Sequence, residues 1–268
     1  MTPALRVGRI SHLNMYPLYH HLARAHGEGM VFTDGVPTTL NAQVLDGRLD
    51  VSAMSSIEFA RNADALRLLP VASISAGAAR WTASRCSRAC RSSGCARWRS
   101  LPHSATSVAL LRVLAGPDVE FVLLTTPPRQ ALRLTDGVLL IGDEALAGLR
   151  TPFAPHHTDL GEMWATRTGL PMVFAVWAAR RDVPEALAPR LDDLVRLLTE
   201  AQERYAADPG AVVAAAARRF PFPPDFIAAY FARLRYGFGP AERRGLTHFL
   251  ELARETGQLA RLPHLAAA

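Results

Sequence analysis

Apolar and polar positions alternate in two rhythms along the first half of this chain. Residues 5–10 read as a strand, the polar turn Ser11-His12-Leu13-Asn14-Met15-Tyr16-Pro17 follows, and residues 18–25 take up helical spacing. Residues 37–45 repeat that spacing, Asp46-Gly47 stops it, and Leu49-Asp50-Val51-Ser52-Ala53-Met54 predicts a short buried strand. Residues 66–74 predict another strand. From residue 104 the alternation resumes, with helices over 107–114, 127–132 and 143–149 and strands over 120–124, 137–141 and 172–178. After Arg181 the pattern is helical throughout, over 184–206, 209–219, 224–234 and 240–256, each opened by a proline at or near its first turn.

Strands alternating with helices predict an α/β fold. With 268 residues, 49% of them hydrophobic, the chain can bury a full core in one large domain or two lobes. The change of character after Arg181 suggests two lobes. The first comprises residues 1–76 and 178–268, with the C-terminal helices packed back on it, and the second comprises 77–177. Crossing strands are expected near 73–77 and 173–178. No apolar run approaches the roughly 18 residues of a membrane helix, and residues 1–9 lack the apolar centre of a signal peptide. The expectation is a soluble, cytoplasmic protein with no membrane partner.

Polar residues gather where strands hand over to helices. Ser104, Thr106 and Ser107 open the helix over 107–114, and Ser55-Ser56 follow the buried strand 49–54. A helix start leaves backbone N–H groups without intrahelical partners, and with nearby hydroxyls these can seat a carboxylate or phosphate. Plain helix capping explains the same residues without a ligand. The loop carrying His12 and Asn14 has the same placement after residues 5–10, and ligands of open α/β sheets bind at such carboxyl ends. Asp143 opens a helix after the strand 137–141, as a cap or as part of the site.

Charge changes the picture in one window. The net charge of +6 is accounted for by six arginines between residues 78 and 100, a stretch without any acidic residue, so the excess does not argue for a nucleic-acid partner over the rest of the chain. The same window holds Cys86, Cys90 and Cys95 and two tryptophans, with almost no aliphatic side chain. A basic nucleic-acid arm would fit the charge, but the cysteine spacing does not fit a zinc site. The vocabulary is also that of a GC-rich coding region read out of frame, in keeping with 30 basic residues that are all arginine. No functional cysteine and no metal are expected.

Taken in order, the motifs are recognisable. They are Val7-Gly8-Arg9-Ile10-Ser11-His12-Leu13-Asn14 with Pro17-Leu18-Tyr19, then Gly47-Arg48-Leu49-Asp50-Val51-Ser52 with Ser55-Ser56, then Ser104-Ala105-Thr106-Ser107-Val108-Ala109-Leu110-Leu111. Leu140-Ile141-Gly142-Asp143-Glu144-Ala145-Leu146, Asp159-Leu160-Gly161 with Trp164, and Thr168-Gly169-Leu170-Pro171-Met172-Val173-Phe174-Ala175 complete the set. The chain resembles the chorismate dehydratase family of the futalosine route to menaquinone, which shares the two-lobed fold of type II periplasmic solute-binding proteins. The window departs from that resemblance: where the family has Gly-Pro-Val and a serine-led strand, Gly77 is followed by Ala78-Ala79-Arg80-Trp81.

The resemblance implies that chorismate, a dicarboxylate, loses water to give 3-enolpyruvylbenzoate. A proton leaves the ether-bearing carbon and hydroxide leaves its neighbour, with no cofactor. Asn14, which can donate and accept, would orient the leaving hydroxyl or the ring carboxylate. Ser55, Ser56, Ser104, Thr106, Ser107 and Asp143 would bind substrate. His12 and a carboxylate of the substrate itself both stand as candidate bases, and Trp164, Phe174 and Trp177 read as core. A sister lyase forming dihydroxynaphthoate and a non-catalytic solute-binding protein are the alternatives, and a homodimer is compatible with any of the three.

Overall fold

The computed structural model describes residues 4–25, 29–76, 84–88, 97–100, 105–116, 119–154 and 156–265. The chain begins β1 (Leu5–Ile10), a 3-10 turn (Leu13–Met15), α1 (Tyr16–Ala25), β2 (Met30–Gly35), α2 (Pro37–Leu45), β3 (Val51–Ser55), α3 (Ser56–Arg61) and β4 (Leu66–Ala76). It continues with β5 (Ser84–Arg88), β6 (Arg97–Ser100), α4 (Ala105–Ala115), β7 (Glu120–Leu123), α5 (Pro128–Ala131), β8 (Gly137–Ile141), α6 (Gly142–Arg150), β9 (His156–Asp159) and α7 (Leu160–Thr168). Last come β10 (Met172–Arg180), α8 (Ala188–Ala207), α9 (Pro209–Ala217), α10 (Pro224–Phe231), β11 (Leu234–Arg235) and α11 (Pro240–Glu255).

These strands form two sheets. One has the order β11-β4-β10-β3-β1-β2, the other β7-β6-β8-β5-β9. β3 lies between β1 and β10 with every residue buried, as a strand covered on both faces requires, and this is why Val51 to Ser55 show no polar alternation. β4 and β10 run antiparallel from Leu66↔Arg180 to Ala76↔Met172, with register shifts at Val173/Ala175 and Val176/Trp177 that bend the pair. The expected crossing strands fall in β4 and β10, while residue 77 lies outside the described residues. α8 packs on α1 and β4, and α11 lies on β10 and also touches α3 and α4.

Local chemistry explains elements that periodicity did not predict. α7 starts because the Asp159 carboxylate accepts from the N–H groups of Gly161 and Glu162, and it ends at Gly169 in the left-handed conformation, φ 70°. β2 is an edge strand with a mixed exposure pattern, which hides its two-residue rhythm. Asp50, fully buried, takes three hydrogen bonds from Arg6: the backbone N–H at 2.8 Å, Nε at 3.0 Å and Nη2 at 2.5 Å. That charge-assisted fork locks β1 to the start of β3.

The arginine-rich window contributes two inner strands of the second sheet, β5 between β8 and β9 and β6 between β7 and β8. Trp98 is fully buried against Gly137, whose missing side chain makes the room. Cys90 and Cys95 lie outside the described residues. Trp164 and Trp177 are fully buried and Phe174 partly so, as core residues. No helix of the described residues is long and apolar enough to cross a membrane.

Candidate functional site

Ser55 ends β3 and Ser56 begins α3, so both stand at the carboxyl edge of the first sheet. Thr106 and Ser107 stand in the first turn of α4, which follows β6 of the second sheet. The two hydroxyl pairs meet directly. Thr106 Oγ1 lies 2.8 Å from Ser55 Oγ and 3.4 Å from Ser56 Oγ, and it accepts the Ile57 N–H at 3.4 Å. Ser56 Oγ donates to the Val173 carbonyl at 2.8 Å, which ties the cluster to β10. Ser55, Ser56, Thr106 and Ser107 are all buried. The Thr106 hydroxyl thus occupies the amide end of α3 that a ligand oxygen would otherwise meet.

Asn14 belongs to a second cluster, built on the 3-10 turn after β1. The Asp143 carboxylate accepts the Leu13 N–H at 3.0 Å, reaching from the first turn of α6. The Tyr236 hydroxyl donates to the Asn14 carbonyl at 2.9 Å, and the Tyr19 hydroxyl accepts the Ile10 N–H at 3.2 Å. Gly142 has φ 58°, and a Cβ there would lie 2.9 Å from His12 Nδ1, so glycine is required both by its backbone and by the close packing of His12. The turn is therefore clamped from the start of α6 by Gly142 and Asp143 and from the C-terminal region by Tyr236.

Within this clamp Asn14 Oδ1 is buried with no hydrogen-bond partner among the described residues. Buried polar atoms are overwhelmingly paired, so this oxygen calls for a donor beyond the described residues. Burial pushes the Asp143 carboxyl above its ordinary value, opposed by the Leu13 N–H. Burial also pushes the Tyr230 and Tyr236 hydroxyls well above theirs, and the nearby carboxylates of Asp143 and Asp159 add to the effect at Tyr230.

The predicted residues thus fall into two groups, Ser55, Ser56, Thr106 and Ser107 in one and Asn14 and Asp143 in the other. Ser104 lies outside the described residues, as does Trp81. Asp143 is engaged with the Leu13 backbone, a structural use that the sequence reading did not give it. Tyr236 and Tyr230 were missed, because nothing in the local pattern of the C-terminal helices points back to a turn 222 residues away. Among the described residues no group of three or more His, Cys, Asp or Glu side chains could hold a metal ion.

Comparison with known proteins fits this geometry. A chorismate dehydratase of Thermus thermophilus is 33% identical over 274 residues, which cover 91% of this chain and 93% of that protein. A crystal structure of a protein from Archaeoglobus fulgidus matches with a TM-score of 0.77 at 18% identity, covering 96% of this chain and 98% of that one. A Candida albicans gene product described as having the generic periplasmic binding protein fold matches with a TM-score of 0.64 at 12% identity, covering 97% and 92%. The fold is periplasmic-binding-protein-like. A family described as menaquinone biosynthesis matches residues 5–255, nearly the whole chain, and this protein belongs to that family.

Proposed function

We propose that this chain is a chorismate dehydratase, a hydro-lyase that converts chorismate to 3-enolpyruvylbenzoate and water. The C–H bond at the ether-bearing carbon breaks, its electron pair forms the last ring double bond, and the adjacent C–O bond breaks as hydroxide takes up a proton. The observation that carries the reading is Asn14 Oδ1, a buried acceptor with no partner among the described residues, on a turn held by Asp143 and Tyr236. Its amide can accept from the leaving hydroxyl or donate to the ring carboxylate, and the clamp spares the reaction the cost of ordering it. The Ser55, Ser56, Thr106 and Ser107 hydroxyls supply donors for a substrate carboxylate once the Thr106 contact opens.

Two lobes, residues 1–76 with 178–268 and residues 77–177, accompany this reading. It is supported by the separation of the strands, since the second sheet draws only on residues 84–159 and the first on those before and after. Opening would then turn on β4 and β10. Chorismate as the dicarboxylate substrate implies a cytoplasmic enzyme. The test is chorismate offered to the purified protein, with product followed by absorbance and mass. A product about 18 mass units lighter, the mass of the water lost, with a benzoate spectrum is expected, and chorismate recovered unchanged overturns the proposal.

A further inference from the structure

A cavity of about 320 Å³ opens where the end of α9 meets the start of α1, beside Ser11 and His12 but apart from the Thr106 cluster. Of its lining residues only Asp34 is acidic, and that carboxylate is engaged by Arg9 through Nε at 2.5 Å and Nη2 at 2.9 Å. The hydrogen bond from Arg9 holds the Asp34 carboxyl below its ordinary value, with a smaller contribution from Arg219. Arg218 and Arg219 line the same cavity, and neither has a carboxylate within ion-pair distance among the described residues. The lining therefore carries three guanidiniums against one carboxylate. Adjacent cations on a concave surface repel one another, and an anion between them relieves the repulsion.

The apolar part of the lining is aromatic. Tyr16 and Phe220 meet edge to face with centroids 5.5 Å apart, and the Arg219 guanidinium stands 6.0 Å from both rings. Ala215 closes the α9 side with a small side chain. Ring edges and guanidinium planes together suit a flat apolar body with a carboxylate attached, and the volume matches the lower end of small-molecule sites.

We infer that this cavity is a second binding site, for an aromatic carboxylate, held by Arg218 and Arg219 against Tyr16 and Phe220. The site rests on the cavity's own chemistry, and the proposed reaction enters only because its product is a molecule of this class. Ser11 and His12 connect the cavity to the turn bearing Asn14, so occupancy by product would be sensed at the reacting centre.

The test is calorimetric titration of benzoate into the wild type, T106A and R218Q/R219Q. A saturable phase is expected in the wild type and T106A, weakened at least tenfold in R218Q/R219Q, whose exposed substitutions leave the melting temperature unchanged. A benzoate titration of R218Q/R219Q indistinguishable from that of the wild type, or no saturable phase in the wild type, overturns the site. Inorganic phosphate competing as strongly as benzoate also overturns it, because the rings would then contribute nothing. Chorismate turnover is measured separately, so failure of the dehydratase reading leaves these titrations decisive on their own.

Discussion

The hydroxyl of Thr106 on α4 lies 2.8 Å from that of Ser55 at the end of β3, a buried contact across 51 residues of sequence between the helix that follows the second sheet and the edge of the first. A neutral hydrogen bond of this kind contributes about 0.5–1.5 kcal/mol net, and removing one partner leaves the other unsatisfied. T106A and S55A are each expected to lower stability by about 1 kcal/mol, with the double variant losing less than the sum. T106A should also weaken chorismate binding by roughly 1–3 kcal/mol, the cost of a lost hydrogen bond to a charged group. Denaturant titration and equilibrium binding measure the two effects, and strict additivity of the stability losses would show that the hydroxyls are not coupled.

Asn14 offers a different signature, because its side-chain oxygen has no partner among the described residues while its backbone carbonyl is held by Tyr236. N14A should leave the fold intact and depress kcat strongly with little change in KM, the pattern of an interaction made mainly in the transition state. Y236F loses the donor to the Asn14 carbonyl, so it should reduce kcat less than N14A does. Steady-state kinetics on chorismate separate these outcomes. A rise in KM alone in N14A would make Asn14 a ground-state binding residue.

The carriers of this turn show what the sequence made legible. β1, α2 and β8 coincide with residues 5–10, 37–45 and 137–141 as read from periodicity, because each has one consistent burial pattern that its own residues encode. Ser55, Ser56 and Thr106 were legible as hydroxyls at helix starts, since capping chemistry is local. Their mutual contact was not, because it depends on how two sheets close on each other. β9 and α7 escaped for another reason: His156-His157-Thr158-Asp159 has no apolar rhythm, and α7 is initiated by one carboxylate rather than by periodicity. Tyr236 could be found only in three dimensions.

Asp143 links the site to pH. Its carboxyl is raised by burial, so the folded protein holds that proton more tightly than the unfolded chain does. Between the ordinary carboxylate value and the raised one, stability therefore falls as pH rises, and it is regained on acidification. Asparagine at this position keeps an acceptor for the Leu13 N–H and removes the charge. D143N is expected to lose that part of the pH dependence and to match or exceed wild-type stability at neutral pH. Thermal melts of both proteins from acid to neutral pH test this, and an unchanged slope would show that another group is responsible.

Gly245 fixes how closely α11 can approach the chain before β10. A Cβ at this position would lie 2.1 Å from the Pro171 carbonyl oxygen, a backbone atom that cannot rotate away. G245A should therefore push the helix off the sheet and destabilise by about 1–3 kcal/mol or more. Gly210, exposed near the start of α9, has only Asp208 Oδ1 near its missing side chain, at 3.5 Å, so G210A should be neutral or stabilising by up to about 1 kcal/mol. Chemical denaturation compares the two, and equal effects would refute the packing argument.

Within residues 78–100, the composition and the place in the fold of β5 and β6 disagree. β5 and β6 occupy inner positions of the second sheet, where strands of α/β proteins are apolar. Yet β6 reads Arg97-Trp98-Arg99-Ser100, and Arg99, which reaches the Leu123 carbonyl through Nη1 at 3.0 Å, has its Nε buried without a partner among the described residues. A buried guanidinium nitrogen without an acceptor is costly, and the window contains no carboxylate to supply one. An out-of-frame origin for this stretch would account for the arginines. The protein expressed from the native gene is then expected to differ in intact mass from a chain of these 268 residues, with tryptic peptides matching an apolar, serine-led strand in place of residues 78–100. A matching mass, with peptides containing Cys86, Cys90 and Cys95, would establish the arginine-rich strands as genuine.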